Sequence, residues 1–168
     1  DLARGEVGRL LADLATTGLD CELRLVENGS TDGTLEILRL LAREDSRIAL
    51  ESLPYADYGL ALKEGILRST KDIVVVFNLE LRDMDFLRLC LNELASCDLI
   101  IASKMMPGGK DERSFMRRIT SRGFNLLLKW IWGFRGTDTH GMKGFWREPM
   151  ASLARQVVSA GFIFETEL

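Results

Sequence analysis

An α/β fold, with a mostly parallel sheet flanked by helices, is the architecture this sequence predicts, on three observations. Short apolar runs of strand length recur at residues 21–26, 48–50, 73–77 and 98–102, and the stretches between them carry apolar residues at helical spacing. Turn-forming residues, among them Gly18, Gly29 and Pro54, separate the two kinds of segment. Strands that alternate with amphipathic helices build parallel sheets. A length of 168 residues suits one hydrophobic core, so residues 1–168 are read as a single domain.

The first helix, over 2–15, carries Leu2, Val7, Leu10, Leu11 and Leu14 at helical spacing, and Gly18 marks its end. Residues 21–26 alternate as a strand and stop at Glu27-Asn28-Gly29-Ser30, where Thr31 or Asp32 is placed to cap a helix reaching about Arg43. A short strand at 48–50, a loop through Pro54 and Asp57, and a helix ending near Arg68 follow. Val74, Val75 and Val76 mark 73–77 as a strong strand. A helix over 85–96 leads to a strand at 98–102. Beyond the Gly108-Gly109 turn a long helix spans about 114–132. Residues 142–146 read as a strand, and Pro149 fits the first turn of a last helix ending near Ala160. Binding residues of such a sheet gather at the carboxyl ends of its strands, here 27–34, 78–80 and from Ser103 onward.

Composition narrows the function. The chain is 46% hydrophobic and 28% charged, which favours a folded domain over disorder. Lys and Arg number 22 against 25 Asp and Glu, and no long stretch is uniformly basic, so the sequence gives a nucleic-acid partner no electrostatic support. The local exception runs from Lys104 to Lys129 and suits a few phosphates rather than a polymer. Cys21, Cys90 and Cys97 lack metal-ligand spacing, both with one another and with the single His140, and read as buried free thiols in a reducing, cytoplasmic compartment. No run approaches the eighteen or so apolar residues of a membrane span, and no cleavable signal opens the chain. It starts in mid-helix and stops at 165–168 without a terminator, so it reads as an excerpt of a longer protein.

Three groups of residues can carry chemistry. The turn 27–34 joins a strand to a helix with two glycines and three hydroxyls, which suits either a helix cap or a nucleotide approached by backbone amides. Asn78-Leu79-Glu80 ends the central strand with two oxygen donors that can hold a divalent ion, while Glu80 equally suits a helix cap. Arg117, Ser121 and Asn125 recur four residues apart and line one helical face, with Lys104 upstream; they suit a phosphate, or a solvated face paired to Asp111 or Glu112. The Trp130 and Trp132 end of that helix suits peripheral contact with a membrane or burial in a larger core. His140 is a lone loop histidine, and Glu165 and Glu167 can place one acid near the sheet edge.

Taken in order, these segments resemble the inverting glycosyltransferases of family 2, which have the GT-A fold, and within them the dolichyl- or polyprenyl-phosphate mannosyl- and glucosyltransferases. Residues 25–34 are similar to the family's V-D-D-G-S-T-D-G-T stretch, and 57–65 to its G-K/Y-G-x-A-L-x-x-G segment. Residues 71–81 stand where the family has G-D-x-x-x-x-x-D-x-D-L, its metal-binding D-x-D being Asn78-Leu79-Glu80 here. Ser103-Lys104 resembles G-S-R, residues 117–125 the R-R/K-x-x-S-R-x-x-N helix, 138–143 a shortened D-x-Q-x-G-F-K, and 161–168 G-F-x-F-D-x-E-L. The family's first strand is expected just upstream of residue 1.

The resemblance implies a Rossmann-like nucleotide-diphospho-sugar transferase fold and transfer of a sugar from a GDP-mannose or UDP-glucose type donor to a lipid phosphate, with inversion. It implies nucleotide contacts at Glu27, Asn28, Ser30, Asp32, Tyr58 and Leu79, and a weakened Mg2+ or Mn2+ site at Asn78 and Glu80. Catalytic roles fall to Glu80, Asp138 and Glu165, and acceptor-phosphate contacts to Lys104, Arg117 and Ser121. The chain is expected in the cytoplasm or at the cytoplasmic face of a membrane. The neutral Asn78 leaves a second expectation open, a silent relative that binds a nucleotide sugar or a protein partner.

Overall fold

The computed structural model describes residues 2–79, 83–102, 141–159 and 161–168. Strands β1 (Leu23–Asn28) and β2 (Ile48–Leu53) pair in parallel, with Leu23 opposite Ile48 and Asn28 opposite Leu53. Strands β3 (Ile73–Val76) and β4 (Leu99–Ile101) flank β5 (Lys143–Trp146), which is antiparallel to both. Lys143 stands opposite both Val76 and Ile101, at the carboxyl ends of its neighbours. The expected α/β class holds, and among the described strands β5 runs against its neighbours. Apolar alternation marks a strand without giving its direction.

Helices α1 (Leu2–Ala15), α2 (Thr34–Glu44) and α4 (Met84–Glu93) cover one face of these strands. Val7 of α1 packs with Leu38 and Leu41 of α2 over Leu23 and Leu25, and Leu10 and Leu14 pack with Leu87 of α4 over Val75. Helices α3 (Tyr58–Arg68) and α5 (Arg147–Gln156) cover the other face, where Leu62 and Ile66 meet Met150, Ala154, Val74 and Val76. The valines of β3 thus alternate between layers, as side chains of a central strand must. A 3-10 turn (Gly161–Ile163) and the short α6 (Phe164–Glu167) close the described chain, with Phe164 fully buried.

Several boundaries depart from the sequence expectations for identifiable reasons. β2 continues to Leu53 because the polar residues that mask it have partners, Glu51 accepting from Arg24 at 3.3 Å and the Ser52 hydroxyl donating to Glu27 at 2.8 Å. Gly33, in the left-handed region, takes the N-cap position of α2 expected for Thr31 or Asp32, yet the Asp32 carboxylate still accepts from the Thr34 N–H at 3.1 Å. Asp83 caps α4, accepting from the N–H groups of Asp85 and Phe86. α5 stops at Gln156, where Val157 turns extended, rather than near Ala160. The cysteines are free, but only Cys90 is buried; Cys21 is half-buried and Cys97 exposed, a correction to the expectation of three buried thiols. Burial pushes the Cys90 thiol up to about 11. Among the described residues, no helix is long and apolar enough to cross a membrane.

Candidate functional site

The turn after β1 is held from inside. Glu27 is only 4% exposed, and its carboxylate accepts from the Ser30 N–H and the Ser52 hydroxyl. Burial alone would raise this carboxyl, but the Ser30 and Ser52 hydrogen bonds outweigh it and hold the pKa below the ordinary 4.5. Stability from a depressed carboxyl is present above its unfolded pKa and lost as pH falls through the folded value. Glu27→Gln should therefore cost about 1–3 kcal/mol at pH 7, with the gap to the parent protein narrowing below pH 4.5. Urea titrations at pH 7 and pH 3.5 check this, and a pH-independent gap would refute the ionic role.

Asn28 and Gly29 lock the same turn to the loop before α3. The Asn28 Oδ1 accepts from the Asp57 N–H at 2.7 Å. Gly29 has φ +71°, and a Cβ there would lie 2.7 Å from the carbonyl carbon of Tyr55, so both the conformation and the close approach require glycine. Asp57 caps α3 by accepting from the Leu60 N–H at 2.9 Å, and the same Oδ1 accepts from Gly161 at 3.0 Å. These two backbone hydrogen bonds hold its carboxyl below the usual range. One aspartate thus ties the β2–α3 loop to the C-terminal segment.

Deeper in, the Glu165 carboxylate is ion-paired with Lys143 and accepts from the Tyr58 hydroxyl at 3.1 Å. The Lys143 and Glu165 side chains are 5% and 1% exposed, and Lys143 also donates to the Gly141 carbonyl at 3.1 Å. A buried charge is tolerated only when paired and hydrogen-bonded, as here. Burial and then the adjacent Glu165 carboxylate push the Tyr58 phenol up. This cluster joins α3, α6 and the start of β5 at the carboxyl ends of β3 and β4.

Around that core, Ser30, Asp32 and Asn78 are exposed, and Leu79 is half-buried against the Val7 cluster. The Asp32 carboxyl is drawn down, first by the Thr34 hydroxyl at 2.6 Å. Of the other expected positions, Glu80, Lys104, Arg117, Ser121, Asp138 and His140, with the 114–132 helix, lie outside the described residues. Asn78 is exposed and its amide oxygen is neutral, a weaker donor to a divalent cation than a carboxylate. Among the described residues, no group of three His, Cys, Asp or Glu side chains is placed to hold a metal.

Two contributors were not among the expected site residues. Asp57 had a local signal, an acid just before a helix. Lys143 had a signal as the last residue of the 138–143 motif, but its pairing had none, because its partner Glu165 lies 22 positions away. Residues 5–153 match the family model described as Glycosyl transferase family 2.

Proposed function

Since this chain belongs to glycosyl transferase family 2, we propose that it moves the sugar of a nucleoside-diphosphate sugar, of GDP-mannose or UDP-glucose type, to polyprenyl or dolichyl phosphate with inversion. The glycosyltransferase assignment itself follows from the family. The observation that carries the acceptor reading is the buried Lys143–Glu165 pair. A hydroxyl acceptor needs a base to take its proton, whereas a phosphate acceptor is already ionised and needs little help. A site whose Glu165 carboxylate is already engaged by Lys143 and Tyr58 suits the second.

In that reaction an acceptor oxygen attacks the anomeric carbon opposite the leaving group. The bond to the diphosphate breaks and the diphosphate keeps the electron pair. The 27–34 turn and Tyr58 would border the nucleotide, and Lys104, Arg117 and Ser121 would hold the acceptor phosphate. Asn78 and Glu80 would hold Mg2+ or Mn2+, which supplies charge stabilisation to the leaving diphosphate. With a lipid acceptor the protein would work at a membrane surface, in this reading the cytoplasmic one.

The neutral Asn78 favours a weak metal site and supports the second reading, a silent relative that binds a nucleotide sugar or a protein partner. Asn78→Asp should lower the Mn2+ concentration needed for half-maximal activity by about tenfold, since a full charge close to a cation is worth several kcal/mol before desolvation. The assay is product formation from a GDP- and UDP-sugar panel with a short polyprenyl phosphate, read by mass spectrometry. Product that disappears in Glu80→Ala supports the transferase and its metal. Donor binding without product, in the parent and in Asn78→Asp, moves the reading to the silent relative.

A further inference from the structure

Asp57 bonds to three elements at once. Its N–H donates to the Asn28 Oδ1 at the end of β1, at 2.7 Å. Its carbonyl accepts from the Ala61 N–H at 2.9 Å and so begins the helical ladder of α3. Its Oδ1 accepts from the Leu60 N–H at 2.9 Å and from the Gly161 N–H at 3.0 Å. Gly161 opens the segment 161–168, which carries Glu165 and consists of a 3-10 turn and the four residues of α6. A segment this short takes its position from what it docks on. The first turn of α3 is in direct backbone contact with it, since a Cβ on Gly59 would clash with the Gly161 carbonyl oxygen, and the Tyr58 hydroxyl donates to Glu165 at 3.1 Å.

The 27–30 turn and the Glu165 segment thus meet on one residue. A shift of Asn28 pulls on the Asp57 N–H, and with the Asp57 carbonyl fixed in α3 the same shift moves the carboxylate that holds Gly161. Hydrogen-bond networks joined to a rigid element carry coupling of this kind between sites, and here the rigid element is the first turn of α3. We propose that Asp57 is a positioning residue that couples nucleotide at the 27–30 turn to the docking of residues 161–168, so that a filled donor site holds Glu165 more firmly against Lys143 and Tyr58. The inference rests on the reading of that turn as the nucleotide site, and goes beyond it in making the two parts of the site respond to one another. Asp57 acts through Asn28 on one side and Gly161 on the other. By reciprocity, the docked segment favours the nucleotide by the factor with which the nucleotide favours docking.

The test is native hydrogen exchange of residues 161–168 in the full-length protein, without and with saturating GDP or UDP, the binding itself being followed by calorimetry. In the parent protein nucleotide should raise protection of this segment by at least about fivefold, the lower end of ordinary coupling between sites. Asp57→Ser keeps a capping hydroxyl for α3 on a side chain one atom shorter, which loses the bond to Gly161. It should still bind nucleotide, while its gain in protection falls below about twofold. Asp57→Asn, which keeps Oδ1, should recover the gain, whereas a role in helix capping alone predicts that the Ser and Asn variants behave alike. Nucleotide binding without a gain in the parent overturns the coupling and leaves the donor site standing. Equal responses of the two variants overturn it as well, and a full gain in Asp57→Ser would mean that the nucleotide reaches the segment directly. Failure of the parent to bind either nucleotide overturns the donor-site reading and the coupling with it.

Discussion

Lys143→Met should destabilise the protein by about 3–5 kcal/mol, because it leaves the buried Glu165 carboxylate without its cation. For a domain of this size that corresponds to a fall in Tm of roughly 10 °C. The cost arises from the stranded charge rather than from the lost attraction alone. Lys143→Met combined with Glu165→Leu should therefore recover most of it, as apolar replacement of a whole buried pair is often neutral. Chemical denaturation of the two single variants and the double variant gives the coupling directly. Additive losses would mean that the two side chains contribute independently. The same pair fixes α6 against the start of β5, so the single variants should also loosen the candidate site.

Gly59→Val should be nearly as damaging, for a steric reason. A Cβ at this position would lie 2.4 Å from the Gly161 carbonyl oxygen and 2.7 Å from the Phe164 Cβ, and the first of these is backbone that cannot rotate away. Overpacking of this kind costs about 1–3 kcal/mol or more, here concentrated where the C-terminal segment docks on α3. The expected result is release of residues 157–168, seen as proteolytic cleavage there before global unfolding, with at least about a tenfold loss of activity as Glu165 leaves Lys143 and Tyr58. Unchanged protease resistance would show that the backbone shifts to accommodate the side chain.

Much of the fold was legible because local chemistry determined it. Three consecutive valines made β3 plain, and Asp57 stood before α3 where a capping acid belongs. The far half of β2 was hidden because Glu51 and Ser52 are polar for reasons lying on other elements, namely Arg24 and Glu27. The direction of β5 was hidden because alternation is blind to it. The site was legible as a location, the carboxyl ends of the strands, and less so as a set of roles. Glu27 was expected at the nucleotide from the resemblance, and its inward bonds to Ser30 and Ser52, which hold the turn, depend on packing that the motif does not spell out. Glu165 was expected as an acid near the sheet edge, and its pairing with Lys143 depends on tertiary contact that no sequence interval encodes.

The most direct test of the proposed transfer to a lipid phosphate is release of nucleoside diphosphate and appearance of a glycosylated product when the full-length protein meets a panel of GDP- and UDP-sugars, Mn2+ and a polyprenyl phosphate. The proposed reaction predicts stoichiometric nucleoside diphosphate and glycosylated polyprenyl phosphate from one donor class, with the anomeric configuration inverted. Measurable donor binding with no product from any donor, and no gain on Asn78→Asp, would contradict it.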